Sequence, residues 1–221
     1  MKKIILLGFL IFSCISTSLL AEAASQTPEQ LYEDGKRYEY GEGVSKNDLK
    51  AFSCYLQAAE AGHMEAQAKT GLFFDFGRGT GENAKKAVFW YEKAAKQGHP
   101  VAQYNLGCIF WYGRKGVKKD GEKAMNLWFL SAMRGYGEAQ HNLATVYFSR
   151  GEKDPGAYKK AYYWYYQAAL KGLTEDQWRL GTLREMGKGV ERDIKTAVYW
   201  YKKAASKGHG EAKSRLKKLG Y

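Results

Sequence analysis

The 221-residue chain carries 35 Lys and Arg against 23 Asp and Glu, a net charge of +12, with 45% hydrophobic and 26% charged residues. That balance excludes wholesale disorder. Its 3 prolines, 25 glycines and 3 cysteines exclude collagen-like material, a disulfide scaffold and a four-cysteine zinc site.

In chain order, the first element is an address. Met1-Lys2-Lys3 gives a positive start, Ile4 to Ile15 is apolar apart from Gly8 and Ser13, and Ala21-Glu22-Ala23-Ala24 offers small residues at a cleavage site. The pattern predicts a signal peptide over residues 1–23, cleaved near Ala23/Ala24, and so a periplasmic or secreted protein. Ser13, Ser16, Thr17 and Ser18 argue against an uncleaved anchor, and the bulky Phe12 argues against lipidation at Cys14. No stable membrane insertion is expected after signal removal.

The rest is periodic. Gly62, Gly98, Gly135, Gly172 and Gly208 are spaced by 36 or 37 residues. Two further series keep step with them: Gly35, Gly71, Gly107, Ala144, Gly181, and Ala51, Ala87, Ala124, Ala161, Ala197. Such a period marks a stack of similar units. Each unit reads as two helices. Its second half, as in Lys85–Gly98, sets Ala87, Trp90, Tyr91, Ala94 and Ala95 on one 3.6-residue stripe and closes on glycine. Glycine-rich turns ending in Asn or Asp separate the halves and suit capping of the second helix. Mid-helix glycines and alanines should let the paired helices approach closely, with Trp90, Trp164 and Trp200 filling the space between layers. The segment Ser149–Tyr158, which contains Pro155, differs in length and should bulge from the surface.

These residues resemble the Sel1-like repeat (SLR) family, a relative of the tetratricopeptide repeats. Ala102, Leu106, Gly107 and Phe110 carry the first part of its pattern. Gly187, Gly189, Val190, Asp193, Ala197, Trp200, Tyr201, Ala204, Ala205, Gly208 and His209 carry the rest. Cys54, where the pattern has Trp, and Asp34, where it has Leu, depart from it. The resemblance implies an all-α protein over residues 24–221: an α-solenoid, a right-handed superhelix of five helix-turn-helix repeats plus a C-terminal capping helix. The units are 28–63, 64–100, 101–137, 138–174 and 175–210, with the cap at 211–221. It implies an adaptor for other proteins.

His63, His99 and His209 share one repeat position without a second ligand at i+3 or i+4, a structural signature rather than a metal site. Cys54 and Cys108 lie two repeats apart, beyond the reach of a disulfide. Lys69-Thr70-Gly71 and Ser214-Arg215-Leu216-Lys217 superficially match motifs of serine β-lactamases, but in reversed chain order and without the third element. A β-lactam-binding, β-lactam-hydrolysing or peptidoglycan-modifying enzyme is therefore the alternative from another class. No cofactor is expected.

In tetratricopeptide-type solenoids the first helix of each unit lines the concave face. Counting from the small residue that opens each first helix, positions −1, +2, +3, +6, +9 and +10 should face the groove. They include Tyr104, Asn105, Trp111 and Tyr112 in the third unit, and His141, Asn142 and Phe148 in the fourth. The fifth adds Trp178, Arg179 and Glu185. Aromatics beside amides and charges suit a protein or peptide partner. Across all five units these positions hold eight acidic and three basic residues, so the basic excess belongs to loops and second helices. A basic convex back could meet an anionic envelope surface, or simply keep the protein soluble. Nucleic acid is not expected, since no binding module is present. The leading expectation is an exported, non-enzymatic scaffold that binds a protein or peptide along its concave face, and the resemblance implies a role in envelope signalling or host interaction.

Overall fold

The computed structural model describes residues 26–221, and the signal-peptide reading falls outside them. Among the described residues there are eleven helices and no strand, apart from one isolated bridge between Arg114 and Val117. The first helices of the five units are α1 (Pro28–Tyr40), α3 (Met64–Phe76), α5 (Pro100–Tyr112), α7 (Gly137–Arg150) and α9 (Thr174–Met186). The second helices are α2 (Asp48–Glu60), α4 (Ala84–Lys96), α6 (Gly121–Met133), α8 (Pro155–Leu170) and α10 (Ile194–Ser206). The half unit α11 (Gly210–Lys218) closes the stack.

Local chemistry starts these helices. The side chains of Asn47, Asn83, Asp120, Asp154 and Asp193 each accept a backbone N–H from the first turn of the second helix they precede. A cap of this kind is worth about 1 kcal/mol. His63, His99 and His209 do the same for α3, α5 and α11 through Nδ1, which accepts from the amides of Ala66, Ala102 and Ala212. The repeated histidine is a cap. In the last two units Tyr136 and Leu173 replace it and supply no such bond.

Packing runs from each helix to the next along the chain, and α3 also touches α5. The close approach within a unit rests on the mid-helix glycines: a Cβ at Gly71 would lie 2.6 Å from the Tyr91 ring. Tyr55, Trp128 and Tyr201 cross Gly35, Gly107 and Gly181 in the same way. Trp90, Trp164 and Trp200 are buried between layers, with the alanine stripes Ala87/Ala94, Ala161/Ala168 and Ala197/Ala204 beside them.

The connection in the fourth unit does not bulge. Arg150 and Pro155 extend the flanking helices, leaving Gly151–Asp154 as a four-residue turn, because Asp154 caps and proline at the first helical position is pre-set for it. Tyr158 folds back over Gly151 and donates to Glu152, and Lys188 from the fifth unit bonds to both Glu152 and Tyr158.

Candidate partner-binding face

The first helices present three recesses in succession. One, of about 200 Å³, lies among Tyr32, Lys69, Leu72, His99 and Asn105. A second, of about 230 Å³, lies among Asp75, Phe76, Asn105, Cys108, Tyr112 and Arg114. The third, of about 290 Å³, is formed by Tyr104, Glu138, His141, Asn142, Thr174 and Asp176 with their neighbours. Second-helix tyrosines, admitted by the glycines, reach through to this side. Tyr55 donates to Glu39 at 2.7 Å and Tyr201 to Glu185 at 2.8 Å, while Asn105 donates to the Tyr91 hydroxyl at 3.2 Å. Burial pushes the pKa of all three phenols up, and Glu39 and Glu185 push those of Tyr55 and Tyr201 further.

The groove is less acidic than a count along the first helices suggests. Arginines from the loops and the cap reach back to the preceding unit. Arg78 Nη1 lies 2.8 Å from Glu39, Arg114 Nη2 lies 3.0 Å from Asp75, and Arg215 pairs with Glu185. Burial raises the Glu39 pKa, but Lys69, Tyr55 and Arg78 overcome it and hold the carboxyl below its ordinary value. Arg215 holds Glu185 low. Asp75 goes the other way: burial outweighs Arg114 and raises it.

The ten expected groove residues separate into two sets. Tyr104, Asn105, Tyr112, His141 and Asn142 line the recesses. The other five have neighbours of their own. Trp111 is half-buried on Trp128, with ring centroids 5.2 Å apart. Phe148 is half-buried edge-on against Tyr158 and Tyr165. Trp178 packs between Tyr201 and His209 and also lines a separate recess of about 570 Å³ against the cap helix, Arg179 holds Glu175 at 2.8 Å, and Glu185 is engaged by Tyr201 and Arg215. Position +9 explains much of this. Its occupants Glu39, Asp75, Trp111, Phe148 and Glu185 are all buried or half-buried, whereas Tyr40, Phe76, Tyr112, Ser149 and Met186 at +10 are exposed. At roughly 100° per residue, +9 falls at the edge of the groove arc and turns toward the helix seam.

Sequence reasoning missed Asp176. It occupies the position held by Ala66, Ala102, Ala139 and Ala212 in other units, a difference visible by aligning the repeats. The side chain is fully buried; Oδ1 lies 2.9 Å from His141 Nδ1, and Oδ2 has no partner. Burial pushes the Asp176 carboxyl up, and its hydrogen bond raises the pKa of His141.

Among the described residues no cluster of three or more His, Cys, Asp and Glu could hold a metal ion. Cys54 and Cys108 are free, half-buried thiols. The Lys69 ammonium of the first β-lactamase-like motif is 2.8 Å from Glu39, and Ser214 of the second lies on α11 near Trp178.

The Sel1 repeat family model matches residues 31–63, 65–99, 100–136, 137–173 and 174–209. The chain belongs to the Sel1 repeat family. Sel1 repeats generally mediate protein–protein interaction, and their fold is typically a non-enzymatic scaffold. A Sel1 repeat protein from Oxalobacter formigenes is 31% identical, with a TM-score of 0.76 over 88% of this chain and 79% of its own. A protective antigen of uropathogenic Escherichia coli displaying an SLR fold is 33% identical, with a TM-score of 0.79. That match covers 87% of this chain and 41% of the antigen, so this Sel1 repeat protein spans well under half of its length. An immunity protein from Pseudomonas aeruginosa, at 18% identity and a TM-score of 0.52, shares the fold alone. No curated protein matches the sequence.

Proposed function

We propose that this Sel1 repeat protein is an exported, non-enzymatic scaffold that binds a protein or peptide along its first-helix face, in envelope signalling or host interaction. The observation that carries this reading is the row of three recesses along successive first helices, each combining aromatic area with amide or charged groups. An extended segment laid across them would bury side chains at intervals set by the repeat, while Asn105, His141 and Asn142 fix its register through directed hydrogen bonds.

The test uses photo-crosslinking amino acids at Tyr112 and Asn142, with Phe89 on the second-helix side as control. The expected result is one partner crosslinked from positions 112 and 142 and not from 89. It should be lost when Tyr112→Ala and Asn142→Ala are combined in a chain whose helicity is unchanged. Crosslinking from all three positions alike, or capture indifferent to the double substitution, would overturn the reading. Trp111 and Trp178 are poor probes, because their rings pack on Trp128 and Tyr201.

A further inference from the structure

The second helices carry an outward face that the lysine count alone does not describe. Phe129, Leu130 and Met133 on α6 and Tyr163, Tyr166 and Leu170 on α8 are all exposed, Met133 and Leu170 by 62% and 60%. Within each helix these residues fall one turn apart or side by side. Between the helices Phe129 and Tyr166 share one repeat column and Met133 and Leu170 another, and the Phe129 ring abuts Trp164 at 5.9 Å. At the columns of Leu130 and Met133, α4 has Lys93 and Lys96. At those of Phe129 and Leu130, α10 has Lys202 and Lys203, with Lys207 just beyond. On these flanking helices each lysine lies over an exposed ring of its own helix: Lys93 stands 4.7 Å over Phe89 and Lys203 4.9 Å over Tyr199. Lys159 and Lys160 open α8 beside it. Of the acidic residues on α4, α6, α8 and α10, Glu92 is held by Lys123 at 3.1 Å, leaving Glu122 exposed.

We propose that this face of the third and fourth units docks on an anionic lipid bilayer surface, its apolar centre entering the headgroup boundary while the lysine frame meets the lipid phosphates. Exposed apolar side chains grouped on adjacent helices and rimmed by charge mark an interaction surface. Aromatic and aliphatic side chains ringed by lysines combine the two attractions that interfacial binding needs. A second copy of this chain fits less well, because a back-to-back pair would bring lysine frames of like charge together. No described helix is long and apolar enough to cross a membrane, so the attachment is to the surface. It leaves the first-helix recesses open and stands independently of the partner-binding reading.

Flotation with vesicles of phosphatidylglycerol and phosphatidylethanolamine, against pure phosphatidylcholine, tests the proposal on wild type and variants sharing one N-terminus. Wild type should float with the anionic vesicles and not with phosphatidylcholine. Leu130→Glu/Leu170→Glu, both at exposed positions, should weaken binding roughly tenfold or more. Lys93→Gln/Lys203→Gln should weaken it and flatten its salt dependence. Absence of wild-type binding, equal binding to phosphatidylcholine, or indifference to the leucine substitutions would overturn the proposal. So would a dimer in sedimentation that the leucine variant dissociates without any vesicle binding. Should the leucine variant misfold, the lysine variant and the salt titration decide in its place.

Discussion

Asp176→Ala should stabilise this protein, and more strongly at alkaline than at acid pH. The buried carboxylate has one oxygen on His141 and one with no partner. Leaving a buried acceptor unmet costs about 1–3 kcal/mol, and a hydrogen bond to a charged partner returns about 1.5–3 kcal/mol. The return is full only while His141 is protonated. The Asp176 hydrogen bond raises the His141 pKa, so its stabilising effect is complete below the unfolded value of about 6.5 and is lost as pH rises through the folded one. Burial raises Asp176 itself, so its cost grows as pH climbs from about 3.9 through its own raised value. Both groups bind protons more tightly in the folded chain, and both make stability fall with rising pH.

Alanine, which three other units and the cap carry at this position, removes the orphan oxygen. It leaves a His141 side chain that is 32% exposed and can bond to water. The net gain should be about 1–2 kcal/mol near pH 8 and close to zero near pH 5.5. For a chain of this size that is a rise of roughly 2–8 °C in Tm. Thermal unfolding followed by circular dichroism at the two pH values measures it. A variant less stable than wild type near pH 8, or a gain equal at both pH values, would refute the reasoning.

Three further outcomes follow from the packing. Gly71→Ala should cost about 2 kcal/mol in chemical denaturation, because the new methyl group meets the Tyr91 ring and the buried ring must shift. Ala144→Gly, at the equivalent site where alanine already fits, should cost only about 1 kcal/mol through backbone entropy. Cys108 should react with a thiol reagent near pH 8 more slowly than free glutathione, since burial pushes its pKa up and only the thiolate attacks. A reaction as fast as glutathione's would place that thiol in open solvent.

Much of the architecture could be read from spacing, because period, helix stripe, capping residue and closing glycine are local signals that five units repeat. The side-chain environment of the groove was harder to read. Arg78, Arg114 and Arg215 lie on loops or on the cap and reach the neighbouring unit, so no periodicity within a first helix reveals that they neutralise Glu39, Asp75 and Glu185. Trp111 and Phe148 looked like groove residues because helical position fixes direction only to within an arc. At the edge of that arc a large ring gains more from a neighbouring helix than from water. The apolar patch is hidden in the sequence for a related reason. Leu130, Met133 and Leu170 sit outside the buried Trp90, Trp164 and Trp200 stripe, and lysines hold some of their columns in other units, so no repeated signal marks them.

The nearest-neighbour character of the packing has a consequence for the length of the molecule. With each helix resting chiefly on the next, one unit's interfaces are nearly interchangeable with another's, and the growing end needs only a polar half unit such as α11 to finish it. Excising a whole period of 37 residues would bring matching surfaces together, whereas removing half that number would set two unlike faces against each other. A stack held this way can therefore gain or lose a whole unit, changing the reach of the protein without redesign of its interior.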